Sequence, residues 1–138
     1  MITLITGKKG SGKTKKLIEL TNEAVKQSNG NVVVIEKGSK LTYDIGYKAR
    51  LIDTDQFGIS TADVFYGFLC GICAGNYDVT DILIDSMLKI CNDDLDAVAK
   101  LIQRIKVISE NTKTKFVISI SADSKDIPNS LLDICEVK

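Results

Sequence analysis

The sequence predicts an α/β protein, a three-layer α-β-α sandwich on a mainly parallel sheet of about five or six strands. Short apolar runs alternate with longer helical patterns from end to end. The runs are continuously apolar rather than alternating, which marks strands covered on both faces. The 138 residues suit one domain, residues 1–138, with no repeat, linker or low-complexity stretch to divide it.

"MITLIT" gives a first strand at Ile2 to Thr6. From Lys13 to Ser28, Leu17, Leu20, Ala24 and Val25 fall at helical spacing, and Asn29–Gly30 stops the helix. "NVVVIE" is a second strand. "KGSKLTYDIGYK" is polar and carries no clear pattern, and "ARLIDT" reads as a short third strand. "ISTADVFYGFLCGICAGN" reads as a helix capped by Ser60 or Thr61 and ended by Gly75–Asn76. It is apolar nearly all round, so it is expected to be mostly buried. "DILIDS", Asp81 to Ser86, is a fourth strand. "NDDLDAVAKLIQRIKVIS" is the clearest amphipathic helix, with Leu95, Val98, Leu101, Ile102, Ile105 and Ile108 on one face and Asn92 or Asp93 as its cap. "KFVISIS" is a fifth strand, "IPNSLL" a short helical turn with Pro128 near its first position, and "DICEV" a closing strand.

Composition removes several function classes. Lysine plus arginine equals aspartate plus glutamate at 18 each, so no net charge draws the chain to nucleic acid or an anionic membrane. There is no histidine, which removes histidine catalysis and histidine metal ligation. Neither a signal-peptide pattern nor a membrane-length apolar stretch is legible, and a cytoplasmic location without membrane insertion is the expectation. Cys70, Cys73, Cys91 and Cys135 form no disulfide framework. "CGIC" lies in an apolar helical run without a second pair, so all four read as small core residues and no zinc is expected.

"GKKGSGKT" holds the chemistry. Gly7, Lys8, Lys9, Gly10, Ser11, Gly12, Lys13 and Thr14 match G-x-x-x-x-G-K-[ST] at every position, between a predicted strand and a predicted helix. Glycines let the backbone wrap tightly, so that successive N–H groups point at phosphate oxygens, and a helix start adds further N–H groups and the positive end of its dipole. Lys13 can reach the β- and γ-phosphates, and the Thr14 hydroxyl can ligate Mg²⁺. The expected ligand is ATP, or another nucleoside triphosphate, with Mg²⁺. Lys8, Lys9, Lys15 and Lys16 are either solvated lysines at a helix start or a basic rim for a second anionic partner.

On this motif and the strand–helix alternation, the chain resembles the P-loop NTPase superfamily. The resemblance implies a second motif, an apolar strand ending in an aspartate that holds Mg²⁺ through water, and "ILID" supplies Asp85. Two strands intervene before "ILID" and "FVISIS" follows it, which looks like the RecA-like and thymidine-kinase-like branch. That branch implies a sensor strand between the loop strand and the Mg²⁺ strand, with Ser119 or Ser121 near the γ-phosphate. "LITGKKGSGKTKKLIEL" also resembles the opening of thymidine kinases, but Ser86 stands where those enzymes carry an acidic catalytic residue. The chain further looks like small bacterial ATP-binding proteins loosely labelled twitching-motility or PilT-like, a label that few residues here support.

Hydrolysis needs a group that orients water near the γ-phosphate. Glu36, at the end of the second strand, is the candidate, with Asp53 and Asp55 weaker ones. Only Arg50 and Arg104 exist, and no arginine-rich lid follows the Mg²⁺ strand. The expectation is a slow ATPase acting with a protein partner or as a homo-oligomer, Lys13 and Glu36 being its catalytic residues. Two alternatives stand beside it. One is a nucleoside or nucleotide kinase, its acceptor pocket built from Gly38 to Gly58 with Tyr43, Tyr47 and Phe57. The other is a nucleotide-sensing regulator without turnover.

Overall fold

The computed structural model describes residues 1–138. Its strands are β1 (Ile2–Thr6), β2 (Asn31–Glu36), β3 (Ala49–Asp53), β4 (Val79–Ile84), β5 (Lys115–Ile120) and β6 (Glu136–Val137). The helices are α1 (Lys13–Gln27), α2 (Ala62–Gly75), α3 (Met87–Ile90), α4 (Leu95–Thr112) and α5 (Asn129–Leu132). The six strands form one sheet in the order β3-β2-β4-β5-β1-β6, every pair parallel. The expected fold class is what the structure shows: an α/β protein with a six-stranded parallel sheet and a three-layer, P-loop-like arrangement.

Strands β1 to β5 alternate between two cores, as the pleat requires, while β6 is an exposed edge. Ile2 and Leu4, Val33 and Ile35, Ile82 and Ile84, and Phe116, Ile118 and Ile120 face one side, where α2, α3, α4 and α5 cover them. Ile5, Val32, Val34 and Leu83 face the other, where they meet Leu17 of α1 and Leu41 and Ile45 from the segment after β2. The two layers are unequal. The first core joins 25 buried residues and the second 8, because one long helix covers the second face and two cover the first.

Three expectations need correction. α2 is not mostly buried: only Phe65, Leu69 and Cys73, one residue per turn, are, and Val64 is 50% exposed. A helix in an outer layer has one layer beneath it, so an apolar composition all round cannot be covered. The cap of α4 is Asp94, whose Oδ1 accepts from the Ala97 N–H at 3.0 Å, and not Asn92 or Asp93. Those two residues take left-handed backbone at φ 59° and 57°, which turns the chain between α3 and α4. β4 begins at Val79 and ends at Ile84, two residues earlier than Asp81 to Ser86. Ser86, at φ 54° and ψ 57°, cannot continue a strand. It opens α3, a single turn that the apolar pattern did not reveal.

Candidate functional site

The strand order brings the motif residues together. Parallel strands end on one side of the sheet, and an α/β protein places its ligands beyond their carboxyl ends. β1 ends at Thr6 and the glycine loop follows at once. β5 pairs with β1 on one side and with β4 on the other, so it separates the loop strand from the strand before Asp85, as the RecA-like resemblance implied.

The loop is shaped by its glycines. Gly7 sits at φ 143°, its N–H donates to the Ala122 carbonyl at 3.0 Å, and a Cβ there would collide with Ser11 Oγ. Gly12, at φ 88°, turns the chain into α1. No side chain caps that helix and no acidic residue occupies its first turn, which leaves the N-terminal N–H groups and the positive dipole end uncompensated. Lys13 is buried; its Nζ donates to the Lys8 carbonyl at 2.8 Å and to Ser11 Oγ at 3.4 Å. Burial lowers its pKa, Asp85 opposes that and nearby Lys89 adds to it.

Asp85 is also buried, immediately past β4, with its N–H donating to the Ile35 carbonyl at 2.9 Å. Thr14 Oγ1 donates to its carboxylate at 3.3 Å and Ser119 Oγ at 3.0 Å. The same Ser119 Oγ accepts from the Ser86 N–H at 2.7 Å. A hydroxyl and a carboxylate from residues 71 apart therefore stand side by side. They are hard oxygen donors, the chemistry that Mg²⁺ takes together with phosphate oxygens and water. No group of three or more histidine, cysteine or acidic side chains clusters as a metal site of its own.

A cavity of about 330 Å³ opens above the loop. Lys9, Gly10, Gly12, Lys13, Thr14, Lys15, Ser86, Lys89 and Ser121 line it, with no hydrophobic and no acidic residue among them. The two serines named for a role near the γ-phosphate thus part company. Ser119 is buried against Asp85, whereas Ser121 faces the cavity. Lys89 is a residue that sequence reasoning missed. Its place depends on α3, and α3 depends on the left-handed Ser86. The one available signal was its position four residues after Asp85.

Glu36 is buried at the end of β2. One carboxylate oxygen accepts from the Lys40 N–H at 3.2 Å, the other from the Leu41 N–H at 2.9 Å. Burial raises its pKa above the usual 4.5, the two N–H groups pull it back, and the charges of Asp85 and Asp53 add to the rise. Asp53 Oδ1 accepts from the Gly38 and Asp55 N–H groups, and Asp55 pairs with Lys37 at 2.7 Å. Tyr43 and Tyr47 are 98% and 94% exposed, and Phe57 stacks on Phe68 with 5.8 Å between ring centroids. Arg104 lies over the Tyr66 ring at 3.5 Å and bonds Asp63 at 3.3 Å, and Arg50 is exposed on β3; neither lines the loop cavity. Burial pushes Cys91 and Cys135 up to about 11 and raises Cys73. No helix is long and apolar enough to cross a membrane.

No family model matches the sequence, and no curated protein matches it. Among solved structures, the chain is similar to C. elegans PCH-2, with a TM-score of 0.50 and 16% identity over 99% of its length. It spans 34% of that chain, about a third. The likeness is one of fold alone, that of an α/β protein on a six-stranded parallel sheet.

Proposed function

We propose that the chain is one P-loop domain that binds a Mg²⁺–nucleoside triphosphate, ATP first among candidates, and that it hydrolyses ATP slowly unless a protein partner or a second copy completes the site. The contact between Thr14 and Asp85 carries this reading. Thr14 belongs to the phosphate-loop motif and Asp85 to the second motif, and a fold with no use for the pair would have no reason to place them together. Thr14 and Asp85 would hold Mg²⁺, which when bound bridges phosphate oxygens and neutralises their charge. The loop N–H groups and Lys13 would grip the phosphates. Glu36 would orient water through the acceptor capacity its two backbone bonds leave free. A cytoplasmic site of action fits the absence of any membrane-length helix but rests on sequence composition.

Slow turnover follows from what faces the cavity. Ser86 occupies the position after the Mg²⁺ aspartate, and a serine is a poor base at neutral pH. Both arginines lie elsewhere, and an arginine on the transferring phosphoryl is worth about 10³–10⁵ in rate. A nucleotide sensor without turnover is the second reading, favoured by the engagement of both Glu36 oxygens with backbone.

Calorimetric titration with Mg·ATP tests the binding. Lys13→Ala should weaken it by about tenfold or more, the loss of a charge-assisted contact, with the fold intact. Unchanged affinity would sink the reading. Single-turnover hydrolysis then separates ATPase from sensor: the isolated chain should cleave ATP well below the ~1–10³ s⁻¹ of typical enzymes.

A further inference from the structure

Lys89 has no partner of its own. It is exposed and makes no ion pair within the chain, yet it lines the loop cavity with Lys9, Lys13 and Lys15. Four cations and no carboxylate face one volume of about 330 Å³. Like charges gathered together repel; Asp85 offsets this at Lys13 alone, where burial still disfavours the charge and Lys89 adds to the repulsion. Such a cavity is stabilised by a polyanion.

The position of Lys89 is built. Ser86 turns through left-handed backbone, its N–H held by Ser119 at 2.7 Å, and its carbonyl accepts from the Lys89 N–H at 3.0 Å. Met87 and Ile90, at 0% and 1% exposure, anchor the turn in the main core on either side of Lys89. A left-handed non-glycine residue costs energy, and here the turn presents a cation toward the loop. Lys89 also comes from the Asp85 side of the cavity, whereas the loop N–H groups and Lys13 come from the α1 side. A triphosphate gripped by the loop N–H groups from the α1 side would bring its terminal phosphate toward the opposite wall, where Lys89 stands.

We propose that Lys89 is the residue that reads the terminal phosphate, so that the site distinguishes a nucleoside triphosphate from a diphosphate. This rests on the phosphate-loop reading above and adds to it the source of selectivity. Because no apolar side chain lines the cavity, selectivity falls on the phosphate chain rather than on the base.

The test is titration of the full chain, and of Lys89→Ala, Lys89→Met and Lys89→Arg, with Mg·ATP and Mg·ADP. Lys89→Ala and Lys89→Met should lose about tenfold in affinity for Mg·ATP and less than about twofold for Mg·ADP. Lys89→Arg should keep the preference for Mg·ATP. Lys89→Met retains most of the apolar stem, so agreement between it and Lys89→Ala excludes a packing effect. If both variants bind Mg·ATP as the wild type does, or lose Mg·ATP and Mg·ADP equally, the proposal is overturned while the phosphate-loop reading stands. If the wild type binds neither nucleotide, both fall.

Discussion

Glu36 ends its strand with only 2% of its surface exposed, and its carboxylate is caught between two demands. Burial favours the protonated form, and two backbone N–H groups favour the charged one. Burial is the larger effect, so the folded pKa lies above 4.5. An acid whose pKa rises on folding binds more protons in the native state, and stability then falls as pH rises from about 4.5 through the folded value. Relative to Glu36→Gln, the wild type should therefore lose stability between pH 4.5 and neutral, as urea unfolding at several pH values would show. A constant difference between the two proteins would mean that Glu36 titrates as it does in water. The same variant should lower whatever rate of ATP hydrolysis exists. At this scale the glycine loop was legible because its eight residues are contiguous and each has a stated geometric use. Lys89 was not, because a cation four residues past a strand reaches the loop only if the chain turns left-handed in between. Nothing local in "DSMLK" marks Ser86 as the residue that will do so.

The helices were legible in number and spacing more than in boundary and burial. α4 shows why. "NDD" offers three capping residues in a row, and which one serves depends on the route of the preceding turn. Asn92 and Asp93 are spent on left-handed backbone, and the cap falls to Asp94. Asp94→Ala should then cost about 1 kcal/mol, the usual worth of a cap, read as a drop of about 4 °C in Tm. No change on calorimetric melting would show that the terminus is capped otherwise. α2 erred for a different reason. Hydrophobicity reports what a helix can bury, and a three-layer architecture decides how much it does bury. The exposed Gly67 and Gly71 contribute no side chain to its outer side, so the helix reads as more apolar in sequence than it is in surface. The thiols belong to this scale too. Zinc binds thiolate, and burial holds Cys73, Cys91 and Cys135 in the protonated form at neutral pH. Elemental analysis of purified protein should find no stoichiometric zinc, and one zinc per chain would show that these thiols ionise to bind it.

Across the whole molecule, strand order is where pattern reading needed help from resemblance. Periodicity named the strands but is silent on neighbours; the RecA-like comparison put one strand between the loop strand and the Asp85 strand, and β5 lies there. That one permutation brings Thr14, Asp85, Ser119 and Ser86 within hydrogen-bonding reach along a single chain of contacts. The unequal cover of the two sheet faces was not legible. It depends on the segment after β2, whose Leu41 and Ile45 fold back onto α1 and the sheet in place of a second long helix.

β1 pairs with β5 and β6 and with no other strand. Ile2 therefore lies beside Phe116, and Leu4 beside Val137. During synthesis the glycine loop is made before β2, β3 and β4, yet the strand that shapes it has no partner until β5 has followed them. Pairings of such sequence separation form late and slowly. Refolding from urea should show β2, β3 and β4 ordering first, by hydrogen-exchange protection, and capture of a fluorescent triphosphate last. The motif read first in the sequence would be the last part of the protein to acquire its shape.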